Sequence, residues 1–239
     1  MWIKWGAYPV PSVPSDLRSV VRDLVRGRDP DRYLCAQFAP PAKREALLAL
    51  TALGVEVADI PARVTEPAMG QLRVSWWRDA LARVEAGDPP AHPVAEALAA
   101  VWVPQLAPRC EAILDSCDRA FADRETKEDP APAIAGRTQQ AWLAILGVFD
   151  PDAEAAALYT GAAWGLTRRD PPAAALEKAE DHLRRAREDW ADIPKAALPA
   201  LLPGAIAAAV IRRAHRGQRP PGRVRRQLVL LRAALLGRF

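Results

Sequence analysis

Apolar positions recur along most of this chain at spacings of three and four, the period of an amphipathic helix. Ser15, a good N-cap residue, opens a predicted helix over 15–26. A short helix follows over 31–38. Pro40-Pro41 opens a long one over 41–64, expected to kink at Pro61, where a backbone hydrogen bond is lost. Glu66-Pro67 opens the next, over 67–86, and Gly87-Asp88-Pro89-Pro90 closes it. Its stripe Met69, Leu72, Trp76, Ala80 and Val84 reads as the buried face. Only Thr65 and Glu66 separate 41–64 from 67–86, so the two are expected to pack antiparallel, burying Leu50, Leu53, Leu72 and Trp76. Further helices are predicted over 93–102, 104–123, 134–148, 152–168, 172–191, 195–215 and 222–237. No segment alternates as a strand would, and no linker is long enough to demand a domain boundary. The expectation is an all-α, single-domain chain over 1–239, with an extension at 1–13 and basic helices at 193–239.

Composition agrees with helix. The apolar share is 50%, enough for a sizeable core, and glycine is low at 13 residues. The 23 prolines must then sit between helices or in their first turns. Cys35, Cys110 and Cys117 form no CxxC pair, and the histidines are His92, His182 and His215. A zinc site is not expected, and a reducing compartment is. Cys110 and Cys117, a heptad apart, read as small buried apolar residues. His182 lies in a charge-laced helix and reads as surface.

The net charge of +4 is unevenly spread. Residues 193–239 carry Lys195, nine arginines and no acid, or +10, which leaves −6 for the first 192 residues. Such an end suits an anionic lipid surface or an acidic patch on a partner. No nucleic-acid recognition motif accompanies it, so no nucleic acid is expected. Residues 1–16 lack the apolar run of a signal peptide. The longest apolar run, 196–211, contains Pro199 and Pro203 and falls short of the roughly 20 residues that span a bilayer. If 222–237 is helical, Val224, Leu228, Leu231 and Leu235 form one stripe flanked by Arg223, Arg226 and Arg232. Such a stripe either caps the core or lies in a membrane interface.

The candidate chemistry begins at Glu56, Asp59 and Arg63, at i, i+3 and i+7 on one helix face amid apolar neighbours. Two carboxylates so placed suit a hard cation such as Mg²⁺. Arg63, one turn beyond Asp59, equally suits a salt-bridged strip that needs no metal. Arg73, Arg78, Arg168 and Arg169 are candidate anion-binding residues, and Trp76 and Trp77 candidate cavity aromatics.

The segments DRYLCAQFAPPAKREALLALTAL at 31–53 and EPAMGQLRVSWWRDAL at 66–81 resemble the squalene/phytoene synthase family of head-to-head isoprenoid condensing enzymes. The spacing from Tyr33 through Pro40-Pro41 and Arg44 to WWRD at 76–79 is the specific part, extended more weakly by 92–98 and 137–147. The resemblance implies an isoprenoid-synthase-like helical bundle. In catalytic members it implies two aspartate-rich motifs holding Mg²⁺ against substrate diphosphates. Here a DxxxD at 58–62 would need Asp where Ala58 and Ala62 stand, leaving Asp59 between them. The second motif region, 163–172, keeps Asp170 beside Arg168 and Arg169. The pattern is closer to a divergent branch, the phytoene-synthase-like complex I assembly factors. It implies a non-catalytic protein with no cofactor, acting with a protein partner in assembly of a respiratory membrane complex. The location implied is cytoplasmic or matrix-side, peripheral on the inner membrane. The alternative is a Mg²⁺-dependent prenyltransferase condensing isoprenoid diphosphates.

Overall fold

Proline sets most of the helix starts in the computed structural model, which describes residues 13–122, 129–168, 170–188 and 190–237. After α1 (Ser15–Arg28), prolines stand in the first turn of α2 (Pro30–Ala36), α3 (Pro41–Ala58), α4 (Ile60–Arg63), α5 (Pro67–Glu85) and α6 (Pro93–Ala99). There the missing N–H would have had no partner within the helix. α7 (Ala107–Ala122), α8 (Ala131–Leu146), α9 (Pro151–Leu166) and α10 (Ala173–Arg185) follow. α11 (Leu198–Leu201), α12 (Pro203–Ala214) and α13 (Arg223–Leu236) complete the set, with 3₁₀ turns at Pro104–Leu106, Trp190–Asp192 and Lys195–Ala197. Among the described residues there is no strand. The expected extension at 1–13 lies outside them except for Val13.

α8 and α9 form an antiparallel pair through the middle of the molecule, and the pair touches backbone to backbone. A Cβ on Gly161 would lie 2.7 Å from the Ala135 carbonyl oxygen and 2.8 Å from the Gly136 Cα. Such distances are well inside van der Waals contact, so glycine is required for this approach. α3 packs across α8, α1, α6 and α7 and is buried nearly all round from Ala46 to Val57. Its one buried hydroxyl, Thr51, donates to the Leu47 carbonyl at 2.8 Å and accepts from the Trp142 indole N–H at 3.2 Å. α11 and α12 close one side of α9, and α13 packs on α12 and α2. Buried side chains from Val13 to Ala233 form one contiguous cluster.

Three expectations need correction. The helix expected over 41–64 is two helices. α3 ends at Ala58, α4 restarts at Ile60, and Pro61 opens α4 instead of kinking a continuous helix. Pro61 has no N–H to return to the Val57 carbonyl, which accepts from the Cys117 thiol at 3.6 Å. Second, α5 packs on α7 and α6, not antiparallel on α3. Third, its buried face is Gly70, Val74, Trp77, Ala80, Leu81 and Val84; of the expected stripe only Ala80 and Val84 are buried, while Met69, Leu72 (61% exposed) and Trp76 (43%) face outward. Gly70 sets this register, because a Cβ there would sit 2.3 Å from the Phe121 ring of α7. Leu50 and Leu53 are buried as expected.

The apolar run 196–211 is broken, with α12 bent by 50° from the segment Lys195–Leu201. Pro203 through Ile211 are buried. Among the described residues no single helix is long and apolar enough to cross a membrane. Cys35, Cys110 and Cys117 are buried free thiols, and burial pushes Cys110 and Cys117 each up to about 12. His182, expected on the surface, is only partly exposed. It is half-buried, stacked on Tyr159 with centroids 5.5 Å apart, and burial holds its ring below the usual imidazole range.

Candidate functional site

The break between α3 and α4 places the first cluster of charge. Asp59 stands at the break, its amide still bonded to the Val55 carbonyl at 3.1 Å. Its Oδ2 accepts from Arg63 Nη2 at 3.0 Å and closely from Arg28 Nη2 on α1. Glu56 Oε2 lies 3.8 Å from Arg63 Nη1. Two guanidinium groups therefore surround Asp59, and one of them also faces Glu56. A cation approaching either carboxylate meets positive charge first.

Beside this strip opens a cleft of about 210 Å³, lined by Glu56, Ile60, Arg63, Arg73, Trp76, Trp77 and His92. Trp76, Trp77 and His92 pack edge to face, with centroids 5.0 to 5.5 Å apart. His92 is the N-cap of α6, its Nδ1 accepting from the Val94 amide at 3.3 Å. That bond leaves Nε2 to carry the proton of the neutral ring. Arg73 lines this cleft, but Arg78 does not. One step further round α5, Arg78 donates to Glu111 (2.6 Å), Asp115 (2.8 Å) and Asp118 (3.1 Å) on α7. Three carboxylates raise its already high pKa and engage all three of its nitrogens, so Arg78 is a tie between helices.

The second cluster sits where α9 ends. Trp164 is buried, and the guanidinium groups of Arg32 and Arg168 stack on it at 4.7 and 4.6 Å. Arg168 also donates to the Arg28 carbonyl at 2.8 Å. Arg28 therefore joins the two clusters, its side chain on Asp59 and its carbonyl on Arg168. Asp170 is exposed on the bend beyond α9, and Arg169 lies outside the described residues.

Residues that sequence reasoning missed organise this region. Asp29 and Arg32 are a buried ion pair, Nε to Oδ2 2.5 Å, and Asp29 Oδ1 caps α2 by accepting from the Arg32 amide at 3.1 Å. Asp31 Oδ2 accepts from the Trp164 indole at 3.1 Å and from Arg226 of α13. Burial raises the Asp31 carboxyl above its ordinary range, while Arg226 and Trp164 pull the other way. The available signal was Asp29-Pro30-Asp31-Arg32, an aspartate before a helix-opening proline with charge running on into an apolar helix.

Among the described residues, no three of His, Cys, Asp and Glu converge as a metal site would require. At the first motif position Asp59 is already held by two guanidinium groups, and at the second a single acid, Asp170, stands exposed near Arg168, an arrangement that does not fit Mg²⁺.

Comparison with known proteins accounts for this mixture. The squalene/phytoene synthase family model matches residues 25–169, a span holding the first cluster and, of the second, all but Asp170 and Arg226. The "NADH dehydrogenase (ubiquinone) complex I, assembly factor 6" of Homo sapiens is 31% identical over 153 residues, 60% of this chain and 45% of that protein. Its Rattus norvegicus counterpart is 31% identical over 165 residues, 65% of this chain and 49% of that protein. The chain thus spans about half the length of the curated relatives it matches. In structure it is similar to squalene synthase HpnC from Alicyclobacillus acidocaldarius, with TM-score 0.66 and 16% identity over 86% of this chain and 96% of that one. That likeness establishes the helical isoprenoid-synthase fold. With well over half its residues inside the matched span, the chain belongs to the squalene/phytoene synthase family.

Proposed function

We propose that this chain keeps the squalene/phytoene synthase fold without its condensing chemistry, and acts in the assembly of a respiratory membrane complex. One observation carries the first half: Asp59, the acid left at the first motif, is held by Arg28 and Arg63. Prenyl condensation needs cations to neutralise a departing diphosphate, and several carboxylates to hold those cations. Here Ala58 and Ala62 flank a single aspartate whose charge is already matched. The second half rests on relatives named as complex I assembly factors. On this reading the chain uses no Mg²⁺, its partner is a protein of the complex, and it works on the matrix or cytoplasmic side of the membrane.

Two measurements test the two halves separately. Incubated with farnesyl or geranylgeranyl diphosphate and Mg²⁺, the purified chain yields no coupled product above background. Turnover that disappears in Asp59→Ala would establish the transferase reading instead. For assembly, cells lacking their own homologue regain intact NADH dehydrogenase when supplied with this chain, and equally with Asp59→Ala. Failure of both forms to restore the complex, with both folded, would remove the assembly role.

A further inference from the structure

The helix α13 turns its apolar stripe away from the protein. Val224 is 70% exposed, Leu228 60%, Leu231 48% and Leu235 79%. The spacings of four, three and four put all of them on one line. The packed face is the opposite one, where Leu230 and Ala233 are buried. This orientation is fixed at three points. Arg226 is bound to buried Asp31 and also donates to the Pro221 carbonyl at 2.9 Å. Near the far end, the Trp190 indole N–H donates to the Gly237 carbonyl at 3.1 Å. The stripe therefore stands as a ridge about 17 Å long, at about 1.5 Å per residue, held facing outward.

The charge carried by α13 and the turn before it has one sign. Arg225 and Arg232 follow one flank and Arg223 the other, all exposed. The turn between α12 and α13 adds exposed Arg216 and Arg219, and residues 193–239 contain no acid.

We propose that α13 docks this chain on an anionic bilayer, its leucine stripe in the acyl boundary and its arginines at the headgroup phosphates. The surface favours a bilayer over a protein for three reasons. The stripe runs along the outer side of a single helix, so it presents a ridge and not a groove. Its apolar residues are all aliphatic, without the aromatic anchors that dominate protein interfaces. Its flanking arginines have stems long enough to lie along the stripe while their heads reach phosphate. The inference is independent of the assembly reading, since a membrane-docked chain needs no respiratory partner.

Flotation of the purified full chain with vesicles tests it. Phosphatidylcholine vesicles containing phosphatidylglycerol should carry the chain upward, pure phosphatidylcholine should not, and rising salt should release it. Each arginine near an anionic leaflet strengthens partitioning by about five-fold, so Arg223→Glu, Arg225→Glu and Arg232→Glu together should weaken it by on the order of 100-fold or more. Leu228→Ser with Leu231→Ser should weaken it by roughly ten-fold or more. These residues are exposed, so both variants should keep the wild-type circular dichroism and melting temperature. Absence of flotation, equal flotation with both vesicle types, or flotation unchanged in the leucine variant would each overturn the proposal. A concentration-dependent dimer that is lost in the leucine variant, without vesicle binding, would assign the stripe to a second copy of this chain.

Discussion

Burial separates two ion pairs that look alike in the sequence. Asp29 and Arg32 are both almost wholly buried, whereas Arg28 and Arg63 around Asp59 are nearly half exposed. Removing one member of a buried pair strands the other in a medium that cannot solvate it, at about 3–5 kcal/mol. Exposed pairs are worth about 0–1 kcal/mol. Asp29→Ala, which also removes the cap of α2, should therefore lower unfolding free energy in urea by about 3 kcal/mol or more, and Asp59→Ala by about 1 kcal/mol or less. Equal effects would show that burial does not set their strength. The Glu56, Asp59 and Arg63 strip was legible because one helical turn brings those residues together. The Asp29, Asp31, Arg32, Trp164 and Arg226 group was not, because Asp31 and Arg226 meet across 195 positions of chain.

Among elements, the α8–α9 seam depends on what lies beside each glycine. A methyl on Gly161 would meet the α8 backbone, which cannot give way, so Gly161→Ala should cost about 1–3 kcal/mol. Gly27, in α1, has nothing within 4 Å of the same methyl. Gly27→Ala should raise stability by about 0.5–1 kcal/mol through helix propensity alone. Thermal melts of the two variants must move in opposite directions, and a shared direction would contradict the seam. The existence of nearly every helix was readable from period and proline. The face of α5 was not, since two overlapping stripes satisfy the same period. Ala80 and Val84 belong to either stripe, and the deciding contact, Gly70 against Phe121, joins α5 to a helix distant in sequence. The stripe of α13 was read correctly as a line. Which way it faced depended on Leu230 and Ala233 on the other side.

For the molecule as a whole, the contiguous buried cluster from Val13 to Ala233 predicts unfolding in one transition. Urea transitions followed by tryptophan fluorescence and by far-ultraviolet circular dichroism should coincide. Separated transitions would divide the chain into parts of independent stability. Fold and reaction are also recorded in different residues. The spacing of the central helices is set by Gly136 and Gly161 and the entry to α2 by Asp29, while motif positions 58 and 59 lie at the end of α3 and position 62 in the short α4. A lineage can therefore substitute those acids without disturbing its architecture, and selection for the old reaction can lapse while selection for the shape continues. Inheritance of form is thus a poor witness to inheritance of trade.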